Sequence, residues 1–456
     1  MPFGDGRLVE VKVLRYVIVG NGAAGFTAAC TIKSLDPGAE VTVVSDEPHP
    51  FYARVLTSYY IAGRVPRDTM FLASPDDYRN RGITFLCGRR VTAARGGGEG
   101  GEVELDDGGS LRWERLLLAT GSDPVRLEVP GADLPGVFTL RDLSDADAIA
   151  TRARPGEMAL VVGGGMIGFK ATEGLLGRGM RVTMAVSSRH VLSQALDEEA
   201  GHLVGQLLAR HGVTVRTGVD VTGFSPHGDR LVAELSDGQV VPCHLAVVGK
   251  GVRPRTDLAR SLGLQVKRGI VCDEHMATSL PGVFAAGDVA EVFDPSYGDT
   301  RVNAIWPNAV GQGRVAGANM VHSARTHAHA SGGADDRSTG QGTAGACGVG
   351  RLPQRFWGGI GRNALCLEDI AIISGGVVAP RGDGYQEVRV RGPGYYRKLV
   401  LRGDTPVGAI FVGDLTGAGV VMALVQSGQP VPGLADTFRS GRLHAAYVRL
   451  RAFAHR

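Results

Sequence analysis

The amino-acid sequence predicts an α/β fold, because one local pattern of strand, glycine-rich turn, helix and strand occurs twice along the chain. The first glycine turn, residues 20–25, follows the apolar run 16–19. The second, residues 163–168, follows the apolar run 159–162. A glycine turn between a strand and a helix lets backbone N–H groups approach a pyrophosphate at the helix N-terminus. The repeat therefore predicts two Rossmann-like dinucleotide-binding domains, most simply one for a flavin and one for a nicotinamide.

The composition is that of an ordinary water-exposed enzyme of several domains. The chain has 456 residues, 21% of them charged, and a formal net charge of +3. It contains no block of Lys and Arg with interleaved aromatic residues, so nucleic-acid binding has little support. It also shows no basic-then-apolar leader and no apolar run of bilayer length. We therefore expect a cytoplasmic protein without a membrane span.

The order of the motifs predicts a discontinuous domain organisation. Residues 1–142 and 276–330 form the predicted FAD-binding domain, and residues 143–275 form the NAD(P)-binding domain. Residues 331–354 are rich in glycine and predict a flexible linker. Residues 355–456 predict a small C-terminal α+β domain.

Three β-rich stretches support these assignments. Residues 83–86 and 102–105 are interpreted as strands of a β-meander around a glycine-rich tip. Residues 395–401 and 407–412 predict a hairpin, with a helix after it.

The six cysteines have no spacing typical of metal ligands or of a redox pair. The sequence thus predicts no metal site, no iron–sulfur cluster and no disulfide framework. Cys30 falls on the first helix and is expected to pack in the core.

Taken in order, both glycine turns, Ala119-Thr120-Gly121 and Gly287-Asp288 resemble the two-dinucleotide-binding flavoproteins of the pyridine nucleotide–disulfide oxidoreductase family. Residues 47–56 and 396–414 are similar to the nitrite-reductase flavin module and NADH–rubredoxin reductase branch. The resemblance implies FAD in the first unit, NAD(P)H in the second, and hydride transfer where the two cofactors meet.

The resemblance also implies a set of cofactor-binding residues. Those of the first unit are Gly20, Gly22, Ala23, Ala24, Gly25, Ala119, Thr120, Gly121, Gly287 and Asp288. Those of the second unit are Gly163, Gly165, Met166, Ile167, Gly168 and Gly251. Asp288 is expected to hold hydroxyls or phosphate of the flavin nucleotide.

The ends of the two second strands differ in charge. After the first, Asp46 or Glu47 is the candidate to accept the ribose hydroxyls, the alternative being that both are solvated loop acids. After the second, Ser187, Ser188 and Arg189 include no acid. This slightly favours NADPH, although relatives that use NADH also carry an arginine there.

Lys170 and Arg54 are the candidate catalytic residues. Family members usually carry glutamate at the position of Lys170, near the nicotinamide and flavin edge, so lysine would reverse the local charge. The alternative is that Lys170 points elsewhere. Arg54 is expected to stabilise negative charge on reduced flavin or to pair with a phosphate, the alternative being a surface salt bridge.

Residues 51–58 contain no cysteine where disulfide reductases of the family place a thiol against the flavin. The sequence therefore predicts a FAD-dependent NAD(P)H oxidoreductase that passes electrons to a protein or small-molecule acceptor without a redox-active disulfide. The expected acceptor is rubredoxin, ferredoxin or a reductase subunit. Two alternatives remain: an NAD(P)H oxidase or quinone-type reductase, and a flavin-bearing subunit that no longer accepts hydride. Assembly as a homodimer or a complex subunit is also left open.

Overall fold

The computed structural model describes residues 13–98, 100–331 and 353–443. In the first part of the chain the strands are β1 (Arg15–Val19), β2 (Glu40–Ser45), β3 (Ile83–Cys87), β4 (Val91–Gly97), β5 (Gly100–Leu105), β6 (Ser110–Trp113), β7 (Arg115–Leu118), β8 (Ser122–Pro124) and β9 (Val137–Thr139). In the middle part they are β10 (Met158–Val162), β11 (Arg181–Val186), β12 (Thr214–Thr217), β13 (Val221–His227), β14 (Arg230–Leu235), β15 (Val240–Cys243), β16 (Leu245–Val248), β17 (Val252–Pro254), β18 (Ile270–Val271), β19 (Val283–Ala285), β20 (Ala290–Asp294) and β21 (Asp299–Arg301). In the last part they are β22 (Arg362–Leu367), β23 (Ile370–Gly376), β24 (Gln386–Gly392), β25 (Tyr395–Arg402) and β26 (Thr405–Val412).

The helices lie between these strands. They are α1 (Ala23–Leu35), α2 (Thr57–Ile61), α3 (Pro75–Asn80), α4 (Leu143–Arg152), α5 (Met166–Gly177), α6 (Glu198–Arg210), α7 (Asp257–Ser261), α8 (Trp306–Ser331), α9 (Ala418–Ser427) and α10 (Leu434–Arg439), with 3₁₀ turns at Arg54–Leu56 and Arg67–Met70. Throughout residues 13–98, 100–331 and 353–443, none of the helices has the length and apolar content needed to cross a bilayer.

Two parallel five-stranded sheets have the same internal plan. The first has the order β3-β2-β1-β7-β19, and the second has the order β12-β11-β10-β16-β9. Their central strands are almost continuous runs of buried apolar residues, as expected for parallel strands covered on both faces. This arrangement confirms the predicted α/β class.

Each sheet takes its fifth strand from outside its own continuous segment. β19 pairs with β7 after the chain has completed the second sheet. β9 pairs with β16, so a strand at 137–139 joins the second sheet. The predicted boundary at residue 142 therefore falls after the first strand of that sheet.

A three-stranded antiparallel meander is attached to each unit, β4-β5-β6 in the first and β13-β14-β15 in the second. The prediction that residues 83–86 belong to the first meander is wrong. β3 instead pairs in parallel with β2, from Val41 opposite Ile83 to Ser45 opposite Cys87. The physical reason is the intervening chain with α2 and α3, which is long enough for a parallel crossover.

Helix α8 packs against α1 at short range because both helices carry small residues there. A Cβ built on Gly313 would lie 2.3 Å from the Ala24 carbonyl oxygen, and one on Gly317 would lie 2.7 Å from that of Ala28. Only glycine permits this approach. The contact holds the Gly287 turn, which precedes α8, against the first turn of α1.

The C-terminal part forms a five-stranded antiparallel sheet of order β22-β23-β26-β25-β24, with α9 and α10 packed on it. It includes the predicted hairpin, formed by β25 and β26, and the helix that follows. The predicted linker 331–354 lies almost entirely outside the described residues.

Candidate cofactor-binding cleft

The first glycine turn joins β1 to α1 and presents bare backbone at the helix N-terminus. Gly20 has φ of 111°, and a Cβ there would lie 2.1 Å from the Ala119 carbonyl oxygen. A Cβ on Gly25 would lie 1.9 Å from the Gly20 carbonyl oxygen. Gly22, the N-cap of α1, has no side-chain cap, and no described atom lies within 4 Å of a Cβ built on it. The turn is therefore closed on its inner side and open above Gly22.

The Gly287-Asp288 turn lies beside the first glycine turn. A Cβ on Gly287 would be 3.1 Å from the Ala24 Cβ, and the Gly287 N–H donates to Gln312 Oε1 over 2.7 Å. Asp288 Oδ2 accepts hydrogen bonds from Arg141 Nη2 at 3.0 Å and from Ser122 Oγ at 3.2 Å. Arg141 was not among the sequence-predicted residues. It gives Asp288 a positively charged neighbour at the open face of the turn.

The two acids after β2 have different partners. Asp46 Oδ2 accepts from Arg255 Nη1 at 3.0 Å. Glu47 is ion-paired with Arg54, and its Oε2 accepts from the Tyr52 hydroxyl at 2.7 Å. Burial raises the pKa of Tyr52, so its hydroxyl stays protonated as a donor. Both acids are held in place by arginines, and their role toward a ribose remains a prediction.

Arg54 lies at the start of the 3₁₀ turn after β2, within this cluster. It pairs with Glu47 and donates to the Arg141 carbonyl oxygen over 3.1 Å. Its side chain is 26% exposed. The ion pair is thus real, but it lies in the cleft rather than on the outer surface, and a role toward flavin stays a prediction.

The second glycine turn repeats the first. A Cβ on Gly163 would lie 2.5 Å from the Gly249 carbonyl oxygen, and one on Gly168 would lie 2.0 Å from that of Gly163. Gly165 is the uncapped N-cap of α5, with no described atom within 4 Å of its Cβ position. Met166 follows with 38% of its surface exposed, and Ile167 is partly buried.

These observations fit two pyrophosphates. Both helices begin with exposed N–H groups that no described side chain caps, and both have open space above the N-cap glycine. Helix N-termini of this kind favour anions through the N–H groups and the helix dipole. In each unit a branched side chain at the N-cap would fill that space.

The two turns belong to one cleft because the strands that leave them are paired. β8, which follows Gly121, is antiparallel to β17, which follows Gly251, with Ser122 opposite Pro254. Thr120 Oγ1 also donates to the Arg255 carbonyl oxygen over 2.8 Å. The backbone thus links the first site to the second.

Lys170 points into the contact between α5 and α2. Its Nζ lies 2.6 Å from Glu173 Oε2 and 4.8 Å from the centre of the Tyr59 ring. The Glu173 side chain is 3% exposed and also accepts from Ser58 Oγ at 2.8 Å. The predicted reversal of charge does not hold for this pair, because Glu173 neutralises the lysine. The signal was available as an acid three residues after Lys170 on one helix.

The remaining predicted residues lie at the end of β11. Ser187 and Arg189 are exposed, and Ser188 Oγ donates to the His190 carbonyl oxygen over 2.7 Å. Lys250, which the sequence analysis missed, donates to Ser187 Oγ over 3.3 Å.

The cysteines are consistent with a site that works without a thiol. Cys30 packs against the core of the first unit as predicted, and burial raises the pKa of its thiol. The cysteines of the described part of the chain, at positions 30, 87, 243, 272 and 366, are all unpaired.

Comparison with known proteins agrees with this architecture. The chain is 27% identical over 416 residues to the NADH-dependent phenylglyoxylate dehydrogenase subunit epsilon of Aromatoleum evansii, covering 91% of this chain and 92% of the relative. It is 29% identical over 415 residues to nitrite reductase [NAD(P)H] of Bacillus subtilis (strain 168), covering 90% of this chain but only 47% of the relative. The covalent putidaredoxin reductase–putidaredoxin complex superposes with a TM-score of 0.78 at 26% identity, over 92% of this chain and 95% of that one.

A family model described as pyridine nucleotide-disulphide oxidoreductase matches residues 14–313. Together with the relatives, this match confirms the predicted class, a FAD-dependent NAD(P)H oxidoreductase, and its cofactors. Because the match extends over well more than half of the sequence, the chain belongs to the pyridine nucleotide–disulphide oxidoreductase family.

Proposed function

We propose that this chain is the flavin-bearing component that passes electrons from NAD(P)H to a small electron-transfer protein or to a partner reductase subunit. The observation that carries the proposal is the chemistry of residues 51–58. Where a thiol would stand, the chain places Tyr52 and Arg54 in an ion-paired network with Glu47. Without a thiol to relay them, electrons leave directly from the flavin.

The printed names of relatives support this acceptor class. Putidaredoxin reductase forms a complex with putidaredoxin, and the subunit epsilon relative belongs to a dehydrogenase described as NADH-dependent. The chain spans about half of nitrite reductase, so the remaining half of that relative supplies parts that this sequence does not contain.

When bound, FAD would accept hydride from the nicotinamide and release electrons to the acceptor. The residues of this chain would provide position and charge. Gly22 and Gly165 would let backbone N–H groups reach the two pyrophosphates, and Asp288 would accept hydroxyl hydrogen bonds at the flavin nucleotide. Arg54 would place a fixed positive charge in the cleft, which favours an anion there.

Anaerobic reduction followed by addition of acceptors tests the proposal. We expect NADH or NADPH to bleach the bound flavin, and ferredoxin or rubredoxin to restore the colour faster than air does. Long-wavelength absorption from a thiolate–flavin contact should not appear at any stage. Oxygen consumption faster than protein reduction would instead support the oxidase. A flavin that neither nucleotide bleaches would support a subunit that no longer accepts hydride.

A further inference from the structure

Lys250 is carried by a turn that is packed against the second glycine turn. β16 ends at Val248, and the Gly249 N–H donates to the Val162 carbonyl oxygen over 2.8 Å. A Cβ on Gly249 would lie 2.7 Å from the Gly168 backbone nitrogen. These contacts fix the backbone from which Lys250 extends, so its side chain leaves the sheet at the nucleotide edge.

The Lys250 ammonium reaches across this edge to the end of β11. It donates to Ser187 Oγ over 3.3 Å and is ion-paired with Asp220. The Lys250 side chain is 20% exposed and that of Asp220 is 52% exposed. The lysine is therefore largely held in place, with a polar face left toward solvent.

Arg189 adds a second cation at the same strand end. It is exposed, and it forms no hydrogen bond or ion pair with any residue in 13–98, 100–331 or 353–443. Two positive side chains and the single Asp220 carboxylate give this edge a net positive charge.

Position decides what such a charge can read. In this fold, the residues just after the second strand lie at the 2′-position of the adenosine ribose. A carboxylate there accepts ribose hydroxyls, whereas an arginine or lysine accommodates a 2′-phosphate. β11 is followed by Ser187 and Ser188 and by no acid.

We propose that Lys250 is a specificity-determining residue that binds the 2′-phosphate of NADPH, with Arg189 as a second, outer contact. The inference deepens the proposed function and rests on it, since it names the reductant for the same cleft. Asp220 orients the ammonium but repels the phosphate, so it lowers the preference without abolishing it.

Calorimetric binding of adenosine fragments tests this inference without any flavin chemistry. The probes are 2′,5′-ADP, its regioisomer 3′,5′-ADP with the same charge, and 5′-AMP. We expect the native protein to bind 2′,5′-ADP more tightly than the other two. Lys250→Met should weaken 2′,5′-ADP by about tenfold and leave 5′-AMP nearly unchanged. Asp220→Asn should bind 2′,5′-ADP more tightly than the native protein.

The matched control is Arg181→Met. Arg181 is an exposed cation at the opposite end of β11, where it donates to the Gly156 carbonyl oxygen. It should leave all three affinities unchanged. The inference is overturned if the native protein does not prefer 2′,5′-ADP, or if Lys250→Met keeps that preference. A protein that reduces ferredoxin with NADH alone defeats only this inference. A protein that prefers 2′,5′-ADP but reduces no acceptor protein defeats only the proposed function.

Discussion

At the scale of single residues, the pair of Lys170 and Glu173 is the clearest difference between sequence and structure. The carboxylate is buried and has two donors, Lys170 Nζ at 2.6 Å and Ser58 Oγ at 2.8 Å. A buried charge is costly without a partner, so the lysine stabilises the contact between α5 and α2.

Lys170→Met should therefore lower the free energy of unfolding by about 2 kcal/mol at neutral pH. The unpaired Glu173 carboxyl should then titrate above its unfolded value in the folded state. Stability held by such a group is present below the unfolded pKa and is lost as the pH rises through the folded pKa. Urea unfolding at several pH values should show that the loss shrinks toward acid.

The control is Arg79→Met, which removes an exposed ion pair with Asp76 at the same helical spacing. Such pairs contribute little, so this change should cost less than about 1 kcal/mol. Equal losses for the two variants, or a loss at Lys170 that does not depend on pH, would contradict the buried-pair interpretation.

Which residues could be predicted follows from how far apart their partners lie in sequence. The glycine turns are local, and each appears in the structure between a strand and a helix as predicted. Arg141 with Asp288 and Arg255 with Asp46 are long-range pairs, joined only by the tertiary fold. No local pattern indicates such partners. Glu173 is the exception, since its spacing from Lys170 was visible.

At the scale of elements, the N-termini of α1 and α5 give a paired prediction. Gly22→Val should yield a folded protein that no longer retains FAD, because the branched side chain would occupy open space at an extended position. Gly165→Val should keep FAD but bind NAD(P)H at least about tenfold more weakly. Flavin absorbance of the purified protein and nucleotide titration measure the two effects.

Gly25→Ala is the contrasting change, because its Cβ would lie 1.9 Å from a backbone oxygen. It should lower thermal stability, whereas the two valine variants should melt near the native temperature without ligand. If Gly22→Val retained a full complement of FAD, the first turn would not be the pyrophosphate site.

Elements were easier to predict than their partners. Residues 83–86 do form a strand, but its apolar pattern does not reveal whether the neighbour is β2 or β4. Pairing depends on the path of the chain through α2 and α3, and those short helices lack a long periodic pattern. The C-terminal hairpin was accessible because its strands are adjacent in sequence.

At the scale of the whole molecule, Asp197 ties the C-terminal sheet to the second unit. It caps α6 by accepting the Ala200 N–H at 3.0 Å. It also accepts from Lys398 Nζ at 2.9 Å and from the Tyr396 hydroxyl at 2.8 Å. Lys398 is nearly fully buried, and its other partners are Glu387 and the Val378 carbonyl oxygen.

Asp197→Ala should lower stability by about 2–4 kcal/mol at neutral pH, because it removes a cap and exposes a buried lysine to imbalance. Burial alone would raise the pKa of Asp197, but the hydrogen bonds from Ala200, Lys398 and Tyr396 hold it below its ordinary value. Its contribution is therefore present above the unfolded pKa and lost as the pH falls through the folded one. The difference from the native protein should shrink in acid.

Asp142→Ala is the matched control, because Asp142 caps α4 in the same way by accepting the Asp145 N–H at 2.9 Å. The loss of a cap alone should cost about 1 kcal/mol. An Asp197 variant that lost no more than this control would show that Lys398 does not depend on it.

The reciprocal exchange of β9 and β19 between the two parallel sheets limits how the molecule can be divided. A fragment cut after residue 142 would carry an edge strand belonging to its neighbour and would lack its own. Neither half is a module that recombination could lift out with a single crossover. Shuffling of these enzymes among electron-transfer systems would have to move both nucleotide-binding halves together.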